Sequence, residues 1–406
     1  GKSAMFEKFE KLVNLALAEG FEKAEVYASA VGSFSVGVYE GHIENYSVAK
    51  RAGLSLRGLL NGQMGYASAE SDNESEYAEL VARAKENAEV LESQDEQFLY
   101  DGTEKLDWIS SLNPELEKVT PEQKIALAMD LEKKCLELGG EGTRVASCEV
   151  GTDSSSCVMV NSLGLHRTFE SNTAYAAVEV VIAQGDKQYP GFAFRFTRDF
   201  NELNVEELAK EALAEARKYI GAQSIPSAAM PVVMDKAAMR TMLATFAGVF
   251  SAEAAQKGLS LLGGKEGGNV AASAVTIWDD PSDGLGLAGM PFDGEGVPTQ
   301  KKAVVENGKL NTLLYTLKSA KKAGKNTTGN AARASYMSTV GTAPTNFYIA
   351  PGKNTVEQLY QMAGNGVRID ELMGTHAGAN PISGDFSLSC KGMKIENGKL
   401  TGPVEQ

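Results

Sequence analysis

Hydrophobic positions follow two different periods along the first half of the chain. Apolar residues recur at helical spacing in four segments, at about 6–19, 74–92, 121–139 and 204–221. Between these segments apolar and polar residues alternate, which is the period of strands joined by Gly and Asn turns. The order helix, strands, helix therefore occurs twice, over about residues 1–95 and 120–221. The two openings lie too far apart for a solenoid period, so we interpret them as an internal duplication.

Start signals mark two of the predicted helices. Asp72 and Asn73 precede the second helix and are residues that favour an N-cap. Thr120 precedes the third, with Pro121 at the first helical position and Gln123 at N3. This arrangement predicts a capping box, in which the Thr and Gln side chains bond to each other's backbone N–H.

The texture changes after a Pro- and Ala-containing linker, AQSIPSAAMP, at residues 222–231. We place a boundary here, between an N-terminal domain at 1–225 and a C-terminal domain at 226–406. A short strand and one long helix at 234–258 are predicted next, followed by a Gly-rich β region. Two segments, AVVENGKLNTLLYTL and MKIENGKLTGPV, hold Asn-Gly between apolar alternations and predict hairpins. The expected class is α+β, with a mostly antiparallel C-terminal domain.

Composition and charge restrict the class of protein. Hydrophobic residues are 43% and charged residues 23%, and no apolar run reaches the ~18 residues of a membrane span. No secretory signal is visible, so we expect a cytoplasmic protein. Its thiols should be free because the cysteines show no C-x-x-C spacing: Cys135, Cys148, Cys157 and Cys390. A net charge of −14 repels phosphate backbones and disfavours nucleic-acid binding.

Familiar catalytic motifs are absent or lack their context. GLGLAG at 284–289 matches G-x-G-x-x-G, but the following residues MPFDGEGVP do not predict a helix, so we interpret it as a loop. The sequence contains no P-loop, no G-x-S-x-G and no H-E-x-x-H. His42 and His166 lie at equivalent strand turns of the two repeats and are interpreted as structural.

Candidate chemistry remains in a Gly-rich segment near the C-terminus. His376 is followed there by Asp385 and Cys390, in a stretch where loops place functional groups. Asp385 beside Gly384 is foremost a turn residue and secondarily a substrate contact. His376 needs a partner before it can serve as a base.

The predicted helix at 234–258 carries one apolar stripe. Met239, Leu243, Phe246 and Phe250 follow the spacing i, i+4, i+7, i+11. Two phenylalanine rings on that face are typical of core packing, whereas a zinc site needs N, S or O ligands and an open coordination position.

The C-terminal half resembles a known family. The segments DDP, DGEGVPT, PTN, ELMG and NPISGDFS, together with FAGVFSAEAAQKG, look like the TldD/PmbA family, historically called modulators of DNA gyrase. The resemblance implies a cytosolic peptidase made of two related subunits. One, of the TldD type, has a helix-borne H-E-x-x-x-H zinc motif, and the other, of the PmbA or TldE type, lacks it.

This sequence resembles the second type. Aligned on SAEAAQKG, the first His, the Glu and the second His of the motif correspond to Thr245, Phe246 and Phe250, in that order. The resemblance therefore implies no catalytic residue, no metal and no cofactor in this chain, with zinc in a TldD-type partner. Unfolded or leader peptides are the implied substrates, and a homodimer is possible as well as the heteromeric complex.

Two other functions remain open from the residues. An autonomous hydrolase could use C-terminal loop residues, namely Asp293, Glu295, His376, Asp385 and Cys390. A gyrase-linked regulator follows from the historical name but conflicts with the acidic charge.

Overall fold

The computed structural model describes residues 2–93, 95–102, 104–106, 111–282 and 289–406. Helices in this part of the chain are α1 (Lys2–Ala18), α2 (Tyr77–Val90), α3 (Pro114–Glu117), α4 (Pro121–Gly139), α5 (Val205–Lys218), α6 (Lys236–Phe246), α7 (Ala252–Gln256), α8 (Leu317–Ala323), α9 (Val356–Ala363) and α10 (Thr375–Gly378). Short 3₁₀ segments are Glu74–Glu76, Phe200–Glu202 and Ala247–Phe250.

The described strands divide between the two halves of the chain. The first half contains β1 (Lys23–Tyr39), β2 (His42–Leu60), β3 (Gln63–Ala69), β4 (Thr143–Asn161), β5 (His166–Gln184) and β6 (Lys187–Thr197). The second contains β7 (Val232–Met234), β8 (Ile277–Asp280), β9 (Lys302–Glu306), β10 (Lys309–Leu310), β11 (Ala331–Ala332), β12 (Gly341–Thr342), β13 (Asn346–Ile349), β14 (Gly366–Met373), β15 (Ser389–Glu396) and β16 (Lys399–Glu405).

Strands β1 to β6 form one antiparallel sheet, in the order β3-β2-β1-β4-β5-β6 within the described residues. The two strand groups join where β1 pairs with β4, in a register that places Val31 opposite Ser155. Helices α1 and α2 pack with the first group and α4 and α5 with the second, all on one face. Alternate strand residues such as Val26 and Val150 fill the core under the helices, so the intervening residues form the opposite face.

The capping box and the Asn-Gly hairpin turns predicted from the sequence are present in the structure. Thr120 and Gln123 form the predicted capping box of α4. The Asn-Gly turns close β9 to β10 and β15 to β16, and Asn397 and Gly398 both have positive φ, at 50° and 78°.

The second half is built from smaller sheets. β10-β9-β8-β13 and β16-β15-β14-β7 are its larger sheets in the described chain, and the β7–β14 pair is parallel while the others are antiparallel. The mixed α+β class is therefore confirmed. None of the described helices is long and apolar enough to cross a membrane.

The prediction of one continuous helix at 234–258 is wrong. Met234 ends strand β7, α6 stops at Phe246, the 3₁₀ segment follows, and Ser251 caps a new helix, α7. The break has a tertiary cause. The Leu314 N–H donates to the Phe250 carbonyl at 2.8 Å, and the Ala252 N–H donates to the Leu314 carbonyl at 2.9 Å, so this backbone pairs with another segment.

The four cysteines are free thiols, as the spacing predicted. Cys135, Cys148 and Cys157 are buried, and Cys390 on β15 is partly exposed. Burial raises the pKa of the Cys148 and Cys157 thiols to about 12, so neither is a thiolate at neutral pH.

Candidate functional site

The segment aligned with the zinc motif is packed with aromatic side chains. Phe250 is buried and its ring meets Phe347 edge-on, with centroids 5.2 Å apart. Phe246 is partly buried and contacts the ring of Phe386 at 6.0 Å. Thr245 donates its hydroxyl to the Thr241 carbonyl at 2.7 Å. Residues 245, 246 and 250 therefore do not fit a zinc ion, which needs ligand atoms with free lone pairs.

His376 and Asp385 lie at the surface of the C-terminal half. His376 is exposed on the one-turn helix α10, and Asp385 is exposed in a turn where its N–H donates to the Ser383 hydroxyl at 3.2 Å. Burial raises the pKa of the Cys390 thiol. No hydrogen bond or ion pair joins these residues in the part of the chain that the structure describes, and none of its His, Cys, Asp and Glu side chains group in threes to hold a metal.

Asp293 and Glu295 lie elsewhere, in a buried loop of the DGEG segment. Asp293 accepts three backbone N–H bonds, from Glu295 at 2.9 Å, Val297 at 3.0 Å and Ala331 at 3.0 Å. Glu295 accepts one from Leu317 at 3.0 Å. These bonds tie separate loops together, so the two carboxylates act first as structural groups.

Burial also raises the pKa values of the two acids. Burial, reinforced by the charge of Glu295, raises the pKa of Asp293 to about 7. Burial raises the pKa of Glu295 as well, although the positive charge of Arg57 opposes it. The five residues proposed for an autonomous hydrolase are thus divided between an exposed surface and a buried loop, with no described contact between the two sets.

Glu295 borders an ion-pair network that joins the sheet to the C-terminal half. Arg57 on β2 binds Glu25 on β1 through two hydrogen bonds, at 2.9 and 3.0 Å, and its guanidinium lies 3.7 Å from Glu295. Arg333 reaches Glu25 from the C-terminal half and donates to the Gly294 carbonyl at 2.8 Å. Burial alone would raise the pKa of Glu25, but the charges of Arg333 and Arg57 outweigh it and lower that pKa.

The motif segments DDP and PTN also meet through a buried carboxylate. Asp279 of DDP is fully buried and accepts hydrogen bonds from the backbone and hydroxyl of Thr345 in PTN, both at 2.6 Å. Lys302 and Asn330 each donate to its second oxygen at 2.8 Å. The segments DDP and PTN are therefore joined through a buried carboxylate in the C-terminal half. The GLGLAG segment at 284–289, interpreted as a loop, lies, apart from Gly289, outside the described residues.

A cavity of about 610 Å³ lies between the helix-free face of the large sheet and the C-terminal half. Its floor follows from the strand register. Three rows of neighbouring residues cross strands β2, β1, β4 and β5. In the middle row the cavity is lined by Arg51, Val31, Ser155 and Ser171. The row on one side contributes Ser29, Cys157 and Phe169, and the row on the other side contributes Ala49, Ser33 and Asp153. The serine and alanine side chains of these rows leave the space above them open.

The roof is the segment 334–337 with Met290. Tyr336 lies over Gly53, where an added Cβ would come within 2.3 Å of its ring. The Tyr66 hydroxyl donates to the carbonyls of Tyr336 and Ser338, at 2.5 and 2.8 Å. The roof is therefore attached to the sheet at fixed points.

The cavity lining combines a buried thiol with serine hydroxyls. Burial holds Cys157 on the floor as a thiol, and the described residues that line the cavity include no histidine that could activate a serine hydroxyl. Sequence reasoning missed this cavity. The available signal was the alternation Glu25, Tyr27, Ser29, Val31, Ser33, which places polar residues on the second face of a strand whose first face is core.

Comparison with known proteins gives the class of protein that this architecture represents. Three family models match consecutive parts of the chain: PmbA/TldA metallopeptidase domain 1 at 24–88, the central domain at 114–219 and the C-terminal domain at 227–406. The chain belongs to the PmbA/TldD metallopeptidase family. The match confirms the resemblance identified in the sequence.

Individual relatives cover nearly all of the chain. A PmbA homologue and a TldD homologue, both from Haemophilus influenzae, are 25% and 24% identical over 90% of this chain and 79% and 78% of their own lengths. A crystal structure from Thermotoga maritima, described as a candidate modulator of a DNA gyrase, is 30% identical with a TM-score of 0.89, covering 98% of this chain and 90% of that one. TldE from Thermococcus kodakarensis shares the fold at 24% identity and a TM-score of 0.86, with the same coverage.

Proposed function

We propose that this chain is the non-catalytic, PmbA/TldE-type subunit of a metallopeptidase that acts on unfolded peptides. The observation that carries the proposal is Phe250, whose buried ring packs on Phe347 at a position where the active subunit type has a zinc-binding His. Phe246 replaces the general base in the same alignment. In this proposal a TldD-type partner supplies the zinc and the hydrolytic step.

Family membership supports a partnership between two related chains. A PmbA homologue and a TldD homologue occur together in Haemophilus influenzae, and this chain is similar to both over most of its length. What this chain contributes is a rigid scaffold, in which the buried Glu25 network holds the sheet against the C-terminal half.

Co-expression with the TldD-type chain of the same genome tests the proposal. We expect the two chains to co-purify and to degrade unfolded casein in a manner abolished by a zinc chelator. The purified chain alone should hold far less than one zinc per molecule and should not cleave casein. Failure to co-purify, or peptidase activity unchanged when this chain is omitted, would overturn the proposal.

The same samples test the two other functions. Chelator-insensitive hydrolysis by the isolated chain would favour an autonomous hydrolase that uses residues such as His376 or Asp385. A mobility shift of duplex DNA at low salt would favour a nucleic-acid-linked role, against the repulsion expected from a net charge of −14.

A further inference from the structure

The floor of the 610 Å³ cavity has the dimensions and the groups of a site for an extended chain. Its three rows are about 7 Å apart along the strands, and the four strands span about 14 Å, by ordinary sheet spacings. An extended segment of about four residues has the same length. The site therefore accommodates a short peptide end lying on the sheet.

Some polar groups on the floor have no hydrogen-bond partner among the described residues. Arg51 lines the cavity and makes no ion pair or hydrogen bond among the described residues. The hydroxyls of Ser29 and Ser33 are likewise free of hydrogen bonds in this part of the protein, whereas Ser155 and Ser171 bond to each other at 3.0 Å. Arg198 also lines the cavity, but its guanidinium donates to the Ser111 carbonyl at 3.2 Å. Arg51 beside free hydroxyls is therefore a receptor for a carboxylate and for peptide groups.

The remaining groups define what else the ligand carries. Val31 and Phe169 on the floor and Met290 in the roof give the cavity an apolar surface. Asp153 lies on the third row, two strands away from Arg51, and can accept hydrogen bonds from peptide N–H groups. A ligand that matches this set has an anionic end, an extended backbone and an apolar side chain.

We propose that this cavity binds the C-terminal residues of an unfolded peptide, with the terminal carboxylate on Arg51, the backbone on the serine hydroxyls, and an apolar last side chain against Phe169 and Met290. The inference rests on the proposed function, because it names the peptide feature that this subunit recognises. It assigns the chain a substrate-holding role that requires no metal and no bond cleavage.

Arg51 has a matched control on the same strand. Lys50 precedes it on β2, carries the same charge, and faces the helix side of the sheet, where it lines a different pocket with Phe34 and Lys124. The variants Arg51→Gln and Lys50→Gln therefore remove one positive charge from nearly the same place but from opposite faces. A third variant, Ser33→Leu, fills the floor without changing the charge.

The test is fluorescence anisotropy of the isolated full chain with a fluorescein-labelled peptide, Ala-Ala-Ala-Ala-Leu, as a free acid and as a C-terminal amide. We expect the free acid to bind about tenfold or more tightly than the amide, since a charge-assisted contact is lost. Arg51→Gln should abolish this difference, Lys50→Gln should keep it, and Ser33→Leu should weaken both peptides. Equal binding of acid and amide by the unchanged protein would overturn carboxylate recognition, as would an undiminished preference in Arg51→Gln.

Thermal unfolding of each variant separates lost binding from lost folding. Arg51 is exposed, so Arg51→Gln should melt within a few degrees of the unchanged chain. Each variant is also co-purified with the TldD-type partner. If Arg51→Gln assembles normally but no peptide binds even the unchanged chain, the cavity proposal fails and the subunit proposal stands. If assembly fails for the unchanged chain, the subunit proposal fails first.

Discussion

Arg333 and Glu25 form a buried ion pair between segments 308 residues apart in sequence, and their side chains are 1% and 0% exposed. Glu25 also accepts two hydrogen bonds from Arg57, so one carboxylate holds two guanidinium groups. Buried charges are costly to separate, because the group left behind loses its partner without regaining water. This pair therefore fixes the C-terminal half against the sheet only while both members are present.

Replacing Arg333 with Met should destabilise the protein by about 3 kcal/mol, less than loss of both guanidinium groups because Arg57 still binds Glu25. Urea unfolding followed by circular dichroism measures the change. Arg195→Met is the matched control, since the Arg195–Glu211 pair is 38% and 48% exposed and contributes less than about 1 kcal/mol. Equal losses in the two variants would contradict a special role for the buried pair.

Asp293 should make stability depend on pH. Its pKa is raised to about 7 in the fold and lies near 4 in an unfolded chain, so its favourable contribution is complete below about pH 4 and is lost as pH rises toward 7. Asp293→Asn removes the charge but also the acceptor for the Ala331 N–H. We expect the variant to be less stable than the unchanged chain at pH 5. The difference between their free energies of unfolding should shrink by on the order of 2 kcal/mol by pH 8.

The measurement is the unfolding midpoint of both proteins across pH 5 to 8. The exposed Asp385→Asn serves as the control and should follow the unchanged chain at every pH. Parallel curves for Asp293→Asn and the unchanged protein would show that Asp293 is already ionised at pH 5.

Features governed by neighbouring residues were predictable from the sequence, while those governed by distant contacts were not. The Asn397–Gly398 turn was predictable because both residues tolerate positive φ. The break after Phe246 was not, since it depends on Leu314, which pairs with the backbone on both sides of Ser251. The apolar stripe correctly placed Phe250 in the core, whereas Phe246, the last residue of α6, is only partly buried.

The candidate site shows the same division. His376 and Asp385 were selected because a Gly-rich segment indicates a loop. His376 lies exposed on α10 and Asp385 in an exposed turn, and no contact among the described residues joins them. The cavity floor could not be assembled from the sequence. Val31 lies beside Arg51 through the pairing of the consecutive strands β1 and β2, but it lies beside Ser155 through the pairing of β1 with β4, which joins residues 124 apart in sequence. Long-range pairing, not local propensity, decides which side chains share that surface.

Phe250 should be a packing residue whose loss is felt as an empty volume. Phe250→Ala should cost about 3 kcal/mol, because the ring is 8% exposed and its neighbours cannot collapse fully onto alanine. Phe386→Ala is the control, since Phe386 is 56% exposed and should cost less than about 1 kcal/mol. Thermal unfolding compares the two variants, and a cost below that of Phe386→Ala would contradict the interpretation of Phe250 as a core packing residue.

Gly53 should control the roof of the cavity. A methyl group at this position would lie 2.3 Å from the Tyr336 ring, so Gly53→Ala must displace that ring or the segment 334–337. We expect a loss of about 1–3 kcal/mol in stability and faster hydrogen exchange over 334–338, measured by mass spectrometry. Gly402→Ala is the control, because a Cβ there meets no atom within 4 Å and its φ is ordinary. The Tyr66 hydroxyl bonds act on the same segment, so unchanged exchange in Gly53→Ala would mean that they, rather than the contact with the sheet, hold the roof in place.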